Sequence, residues 1–362
     1  MDVHIIPGVK ARDVAQAHNL DMLHQEEHEC KCMTYWIDEE RESVFCLIDA
    51  PNKESVEELH RQTHGLIPNK IIEVKSNLVA SFLGRIYDPA TAETTPDGLK
   101  VFNDTSFRFL LVTKITDPVL LKYKLGAAKT EALLDAHHKI IRQKLQHFEG
   151  SEAEHRGAGF IISFTSASSA VSCALAILDA MLHEGGSEMN FRISINAGEP
   201  VEKSNRLFGD TLQLAQNLCF IAGNMQVALT NAVKELVLKD HFKNRSNNFF
   251  VLSVQDEALL KLLYSTVEEN WSKAEFDISN YGKAMAMSTS QLYRKTISLT
   301  GLSPNLFLKD FRLEKAKELM HKKQNSIAQI TFESGFSSPS YFTKCFKKKY
   351  GLLPMAYIDL LQ

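Results

Sequence analysis

The sequence predicts a multidomain protein in which two α+β domains are followed by an all-α domain. Strand-like and helix-like periodicities alternate up to residue 255, and strand patterns almost disappear beyond residue 258. Two segments rich in turn-forming residues, 88–104 and 244–248, separate the blocks. The expected domains therefore cover residues 1–87, 103–255 and 258–362, which suits a chain of 362 residues.

The composition is that of an ordinary soluble protein, with 44% hydrophobic and 23% charged residues. Charge is uneven: the chain carries 13 Lys and Arg against 6 Asp and Glu from Asp277 onwards, and 28 against 38 before it. This distribution favours nucleic acid as a partner of the C-terminal block, although a solvated basic face gives the same pattern. We expect a cytoplasmic protein without membrane contact, because no apolar run approaches ~18 residues, the start lacks an apolar signal region, and six cysteines form no disulfide framework.

In the first block, strand-like and helix-like segments follow one another in a defined order. VHII is strand-like, ARDVAQAHNLDMLHQEE has helical spacing, and CMTYWID and SVFCLIDA are two strands with a charged turn between them. KESVEELHRQTHG then predicts a helix, and KIIEV a last strand. The resulting order βαββαβ is that of a ferredoxin-like domain.

The same block is rich in side chains that bind transition metals. His60 and His64 are four residues apart, so one helix face presents both imidazoles, and His18 and Asp21 share a face of the first helix. The candidate ligands are His4, His18, Asp21, Cys46, His60 and His64. Imidazole with thiolate suits nickel, zinc or copper, and the sequence does not choose among them. The alternative is that His18 and Cys46 are half-buried packing residues and that His64 helps to end its helix.

Five phrases of this block, VHIIPG, AHNLDMLHQ, YWIDEE, VFCLIDAP and HRQTHGLIP, resemble small nickel-binding ferredoxin-like proteins. The resemblance extends over residues 1–85. It implies that the block binds nickel or another transition metal and serves as a sensor.

The middle block predicts a second α+β domain. Its order is a strand, FRFLLVTKI, a helix, KTEALLDAHHKIIRQKLQHF, the turn and strand HRGAGFIISF, a helix, SSAVSCALAILDAML, a strand, FRISINAGEP, and a helix, LQLAQNLCFIAG. Taken together and in this order, these motifs resemble the catalytic domain of class III nucleotide cyclases. That family uses two metal-binding aspartates, with an asparagine and an arginine on a later helix.

The positions that carry this chemistry are degenerate here. The resemblance places Lys114 and Ala158 where the family has its metal-binding aspartates, and Gln213 and Asn217 where it has asparagine and arginine. An ammonium group repels Mg²⁺ and alanine offers no oxygen ligand, so an inactive, cyclase-like dimerisation or ligand-sensing domain is expected. By the same resemblance, Glu154 matches a position that selects the base in guanylate-type cyclases. The alternatives are a nucleotide-binding receptor and a guanylate or adenylate cyclase with residual activity.

The C-terminal block contains two helix-turn-helix patterns. In SIAQITFESGFSSPSYFTKCFKKKYGLLP, Gly335 permits a sharp turn, Ser338 caps the next helix, and Phe342 and Phe346 face inward. The pattern recurs in YGKAMAMSTSQLYRKTISLTGLSP, and NLFLKDFRLEKAKELM predicts the helix between the two units. The candidate DNA contacts are Ser288, Thr289, Gln291, Arg294, Lys295, Ser338, Ser340, Thr343, Lys344 and Lys347.

Both units and the connecting helix resemble the DNA-binding domain of AraC-type transcription regulators. The resemblance implies that two recognition helices enter successive major grooves about 34 Å apart. Lys347, Lys348 and Lys349 are expected to contact phosphate, and Arg312 and Glu314 to lie on the solvated face of the connecting helix. The sequence as a whole predicts a non-enzymatic, DNA-binding transcription regulator that responds to a metal or small ligand through its N-terminal and cyclase-like domains and acts as a homodimer.

Overall fold

The structure is a computed structural model that describes residues 1–156, 159–184, 189–237, 248–322 and 326–361. The N-terminal domain comprises β1 (Asp2–Ile5), α1 (Ala11–His24), β2 (Lys31–Asp38), β3 (Ser43–Asp49), α2 (Lys53–Thr63) and β4 (Lys70–Ile71). Its four strands form an antiparallel sheet in the order β2-β3-β1-β4. The ferredoxin-like order predicted from the sequence is confirmed.

The segment predicted as a linker is folded. It follows α3 (Ser76–Leu83) and contains a short hairpin of β5 (Glu93–Thr94) and β6 (Lys100–Val101). Just after the hairpin, the ring of Phe102 stacks on that of Tyr35 at 4.1 Å. Because this aromatic contact is distant in sequence, the local composition of the segment did not reveal it.

The central domain contains a six-stranded sheet in the order β12-β11-β10-β7-β9-β8. Its elements are β7 (Arg108–Ile115), α4 (Pro118–Leu125), α5 (Ala127–His147), β8 (Ser151–Arg156), β9 (Gly159–Phe164), α6 (Ala167–Glu184), β10 (Phe191–Gly198), α7 (Gly209–Ile221), β11 (Gln226–Thr230), α8 (Asn231–Leu236) and β12 (Phe249–Leu252). The six elements expected from the sequence are all present.

The two sheets share one apolar core. Trp36 and Phe45 of the N-terminal sheet pack in the same cluster as Leu110 and Val112 of β7, and all four are buried. The opposite face of the central sheet packs against α5 and α6 in a second cluster. Successive residues of a strand point to opposite faces, so each sheet is covered on both sides. The first two blocks are therefore joined by buried apolar surface.

The remaining elements are helices: α9 (Val254–Asn270), α10 (Ile278–Ala284), α11 (Thr289–Thr300), α12 (Pro304–His321), α13 (Ile327–Glu333), α14 (Pro339–Tyr350) and α15 (Pro354–Asp359). Helices α10 to α12 pack with α9 and α7 in one apolar cluster, and α12 to α15 form another together with Val119 and Leu120 of α4. The predicted all-helical domain is confirmed, and it packs directly on the central domain.

One histidine of the central core is buried without a hydrogen-bond partner. Neither ring nitrogen of His137 has a partner within the described residues, and its ring lies edge-on to Phe191 at 5.4 Å. Burial, with smaller effects of His138 and His155, lowers the pKa of His137 to about 4. The imidazole is therefore neutral in the folded protein above that pH.

We predict that His137 makes the fold sensitive to acid. Between pH 6.5 and about 4 the unfolded chain binds a proton at this site that the folded chain does not, so stability falls as the pH falls. The slope reaches at most about 1.4 kcal/mol per pH unit. In His137→Leu this part of the slope disappears, whereas exposed His147→Leu keeps it. Urea unfolding at a series of pH values measures the difference, and equal slopes in both variants would contradict the prediction.

Candidate functional site

Potential metal ligands converge between the N-terminal sheet and its two helices. Asp2 and His4 lie on the same face of β1, and Cys46 is the partner of Asp2 on the neighbouring strand β3. One ligand atom from each of these three residues lies within 4.8 Å of the others. All three side chains face away from the core that the two sheets share.

A second group comes from the helices that cover this face. Asp21 of α1, His60 of α2 and His64, which follows α2, also have ligand atoms within 4.8 Å of one another. The two groups touch, because His60 Nε2 lies 3.1 Å from Asp2 Oδ2 and His60 Nδ1 lies 3.1 Å from Asp21 Oδ2. His64 Nε2 lies 3.2 Å from the same Asp21 oxygen.

The electrostatics of this cluster centre on His60. Burial by itself would lower the pKa of His60, but the hydrogen bonds and charges of Asp2 and Asp21 outweigh burial and raise the pKa to about 9. Conversely, burial would raise the pKa of Asp2 and of Asp21, and their histidine partners hold both pKa values well below the ordinary range. Burial raises the pKa of the Cys46 thiol, and the Asp2 charge raises it further.

Five of the six candidate ligands predicted from the sequence belong to these two groups. The sixth, His18, lines a cavity of about 150 Å³ together with these five ligands. It belongs to neither group, because its Nε2 lies 3.7 Å from Asp88 Oδ1. The sequence interpretation missed Asp2. A carboxylate two residues before His4 on a predicted strand was the available signal, since residues i and i+2 share a face.

The four described positions that the cyclase resemblance singled out do not form one site. Lys114 and Glu154 line a large cavity of the central domain, whereas Gln213 donates a hydrogen bond to Asn217 at 3.3 Å and neither lines that cavity. The fifth position, Ala158, lies outside the described residues. Within the described parts of the chain, groups of three or more potential metal ligands occur only in the N-terminal domain.

Both predicted recognition helices begin at well-formed caps. The Ser288 hydroxyl accepts a hydrogen bond from the Gln291 backbone N–H, and the Gln291 side-chain oxygen accepts one from the Ser288 backbone N–H, which makes a capping box at the start of α11. Ser338 caps α14. Gly335 has a φ of 77°, and a side chain there would collide with the Trp271 carbonyl oxygen. The turn before α14 therefore requires glycine.

Most of the side chains predicted to contact DNA are exposed to solvent. Phe342 and Phe346 are fully buried, which turns the polar face of α14 outward as predicted. Ser338 and Thr343 are half-buried. The exposed residues are Ser288, Thr289, Gln291, Arg294, Lys295, Ser340, Lys344 and Lys347.

Three charged residues of this region are used inside the protein, contrary to expectation. Lys349 was expected at phosphate, but its Nζ lies 3.3 Å from Asp310 Oδ2. Arg312 donates to the backbone oxygens of Trp271 and Lys273 at 2.8 and 2.7 Å. Glu314 accepts a 2.9 Å hydrogen bond from the Tyr350 hydroxyl. Sequence periodicity places all three on polar faces, and only the packing of α9 and α14 against α12 encloses them.

A buried polar contact joins the central domain to the C-terminal helices. Asp117, which caps α4, accepts hydrogen bonds from Lys317 of α12 at 2.9 Å and from the Tyr357 hydroxyl at 2.8 Å. Lys317 also lies 3.0 Å from Glu314. We refer to Asp117, Glu314, Lys317 and Tyr357 as the clasp. It connects residues about two hundred positions apart, so it fixes the second helix-turn-helix unit against the central domain.

Two family models match the chain. Residues 281–359 match a helix-turn-helix domain, and residues 1–74 match the family described as nickel responsive protein SCO4226-like. The predicted helix-turn-helix domain, and the predicted resemblance of the N-terminal block to nickel-binding ferredoxin-like proteins, are confirmed by these matches. Neither model extends into the central domain.

Individual proteins resemble parts of the chain. Histidine kinase P4 of Formosa agariphila is 34% identical over 33% of this chain and 9% of its own length. The HTH-type transcriptional regulator MtrA of Neisseria gonorrhoeae is 33% identical over 28% of this chain and 34% of its own length. The chain therefore spans about a third or less of these two relatives. Adenylate cyclases from Trypanosoma brucei in their monomeric state include a structure with 19% identity and a TM-score of 0.33, covering 38% of this chain and 78% of that one.

No helix in the described parts of the chain has the length and apolar character needed to cross a membrane.

We predict that the charge of Asp117 stabilises the clasp. In Asp117→Asn the amide oxygen can still cap α4, but Lys317 loses an anionic partner in a site where it is only 11% exposed. The free energy of unfolding should fall by about 1–3 kcal/mol. Exposed Asp359→Asn serves as the control. Chemical denaturation measures both, and an unchanged midpoint in Asp117→Asn would contradict a stabilising role.

Proposed function

We propose that this chain is a sequence-specific, DNA-binding transcription regulator that grips duplex DNA with α11 and α14. The observation that carries the proposal is the exposed polar and cationic face of two capped helices, inside a segment that matches a helix-turn-helix domain. Exposed Arg294, Lys295, Lys344 and Lys347 can contact phosphates or base edges. The similarity to MtrA, an HTH-type transcriptional regulator, supports the same function.

The three modules have different roles in this proposal. Residues 1–87 sense a metal or small ligand, residues 103–255 relay the signal and contribute to a homodimer, and residues 258–362 bind DNA. Ligand binding would favour one arrangement of the modules and so change the affinity for DNA. The clasp, which bonds the central domain to α12, supports a mechanical connection between the two.

The donor set of the N-terminal domain fits a transition metal such as nickel. Asp2, His4, Cys46, Asp21, His60 and His64 supply three imidazoles, two carboxylates and one thiol around a small cavity. Nitrogen and sulfur donors select nickel, zinc or copper over magnesium or calcium. His60 already places positive charge between Asp2 and Asp21, so a bound ion would replace the proton that this imidazole must lose before it can act as a ligand. The match of residues 1–74 to nickel responsive proteins supports nickel.

For the central domain we propose that it has no cyclase activity. Lys114 and Ala158 cannot ligate the two divalent ions that the reaction of class III cyclases requires. The second candidate, a nucleotide receptor without turnover, is favoured by the large cavity that Lys114 and Glu154 line. Calorimetry with GTP, ATP and cyclic nucleotides distinguishes the receptor from a purely structural domain.

We predict that Lys344→Ala weakens DNA binding by about fivefold, because about 1 kcal/mol is typical of one lost contact to DNA. Lys234→Ala removes an equally exposed lysine of the central domain and should leave affinity unchanged. DNA fragments retained by the full chain provide the ligand, and fluorescence anisotropy across salt concentrations gives the affinities. Equal affinities for the two variants would remove α14 from the interface.

We predict that the protein purified without a histidine tag binds Ni²⁺ or Zn²⁺ through the N-terminal cluster. His60→Ala combined with His64→Ala should weaken metal binding at least tenfold, because two of the imidazole donors are lost. Exposed His147→Ala is the matched control. Metal analysis followed by calorimetry measures the effect. Retention of full affinity in the double variant would place the metal elsewhere.

We predict no cyclic nucleotide product when the purified protein is incubated with GTP or ATP and Mn²⁺. Ala158→Asp should also be inactive, because Lys114 still occupies the other of the two metal-ligand positions. Chromatography of the reaction detects product in either case. Turnover by the unchanged protein would restore the enzyme hypothesis, and turnover by the single variant would mean that Lys114 does not stand in the metal site.

A further inference from the structure

A large cavity lies between the central sheet and the C-terminal helices. Its volume is about 1000 Å³. One wall comes from β7, β10 and α7, and the opposite wall from α12 and the end of α14. Pockets at domain interfaces that reach this size accommodate drug-sized organic molecules. A molecule held here would touch both the central domain and the DNA-binding helices.

The sheet wall of the cavity presents two cations side by side. Lys114 and Arg192 are direct partners in the antiparallel register of β7 and β10, so their side chains project from the same face. Like charges directly opposite each other on a sheet are destabilising. Lys114 makes no ion pair with any described residue, and Arg192 donates to the Phe220 carbonyl oxygen at 2.7 Å. Neither strand supplies a carboxylate to neutralise the pair.

The carboxylates that line the cavity are mostly committed to other cations. Lys317 lies 2.9 Å from Asp117 and 3.0 Å from Glu314, and Lys349 lies 3.3 Å from Asp310. Glu314 attracts Lys114 electrostatically, but its hydrogen bonds come from Lys317 and the Tyr350 hydroxyl. Glu154 of β8 is the fourth lining carboxylate. The four lining carboxylates balance the four lining cations in number, but positive charge is concentrated at Lys114 and Arg192, which lie side by side on strands without a carboxylate.

Apolar side chains adjoin the two cations on the sheet wall. Ile161 of β9 and Phe220 of α7 line it, and Leu302 approaches from the segment between α11 and α12. Lys114 Nζ lies 5.7 Å from the centre of the Phe220 ring, so the cationic and apolar parts adjoin. A ligand matching this wall needs an anionic group next to a flat apolar body.

We propose that this cavity binds an amphiphilic organic anion, whose phosphate or carboxylate lies at Lys114 and Arg192 and whose apolar body packs against Phe220 and Leu302. The ligand bridges β7 and β10 on one side and α12 on the other. Its effect on DNA binding rests on the proposed function, because it acts through α12. Binding of the ligand itself does not depend on that function.

The experiment uses the full chain and the fluorescent aromatic anion 1-anilinonaphthalene-8-sulfonate, whose emission rises in apolar surroundings. Phenyl phosphate and benzoate, which carry the two anionic groups on the same ring, compete with the dye, and neutral benzamide is the control competitor. Lys114→Glu should weaken dye binding at least tenfold. Lys234→Glu makes the same charge change on an exposed lysine of α8 and should leave binding unchanged.

The competitors identify the anionic group. Displacement by phenyl phosphate alone assigns a phosphate ligand, displacement by benzoate alone assigns a carboxylate, and displacement by both supports an anion site without preference. Equal displacement by benzamide, displacement by none of the three, or undiminished dye binding in Lys114→Glu would overturn the proposal. Arg192→Lys, which keeps the positive charge, should retain dye binding if circular dichroism shows that it is folded. Failure to bind DNA would contradict the proposed function and leave this result intact.

Discussion

The packing of the two sheets against each other is the constraint on which the rest of the structure depends. Trp36 and Phe45 on one sheet, with Leu110 and Val112 on the other, bury the faces between them. Because strand residues alternate, Asp2, His4 and Cys46 must then point the other way, towards α1 and α2. The candidate ligands Asp2, His4 and Cys46 are thus held by strands whose opposite faces form the core.

The same constraint gives the C-terminal helices their place. One face of the central sheet is covered by α5 and α6, and part of the other by the N-terminal sheet. Helix α7, with Ala228 of β11 and Leu252 of β12, remains to pack against α9 to α12. Apolar packing makes most of this contact, and the clasp adds a polar one in which charge is matched. A partly buried ion pair of this kind specifies orientation more than it adds stability. The clasp joins the central domain to α12 and α15.

Local patterns predicted the elements well. Alternation gave the βαββαβ order, and the combination of Gly335, Ser338 and the inward pair Phe342 and Phe346 gave the recognition helix. Contacts between distant segments were not predictable from such patterns. The stacking of Phe102 on Tyr35 and the shared core both join residues from different blocks, and periodicity carries no information about which surfaces meet.

In the candidate sites, too, local spacing was predictable and contacts between distant segments were not. Helical spacing brought His60 and His64 together, but Asp2 was missed and His18 proved to face Asp88, because both outcomes depend on how α1 and α2 lie on the sheet. Charges on α12 and α14 looked solvated, since a helical pattern distinguishes polar from apolar faces and not exposed polar faces from enclosed ones. Lys349 and Glu314 were therefore expected at the surface, whereas the structure places both in contacts between α12 and α14.

The most direct test of the account is to select genomic DNA fragments on the immobilised full chain at low ionic strength and to footprint the retained sequences. The account predicts enriched sites with two protected segments about 10–10.5 base pairs apart, on one face of the duplex, one for α11 and one for α14. It also predicts that retention falls steeply as salt is added. A chain that retains no DNA even at low salt, or protects no defined sequence, would contradict the central claim.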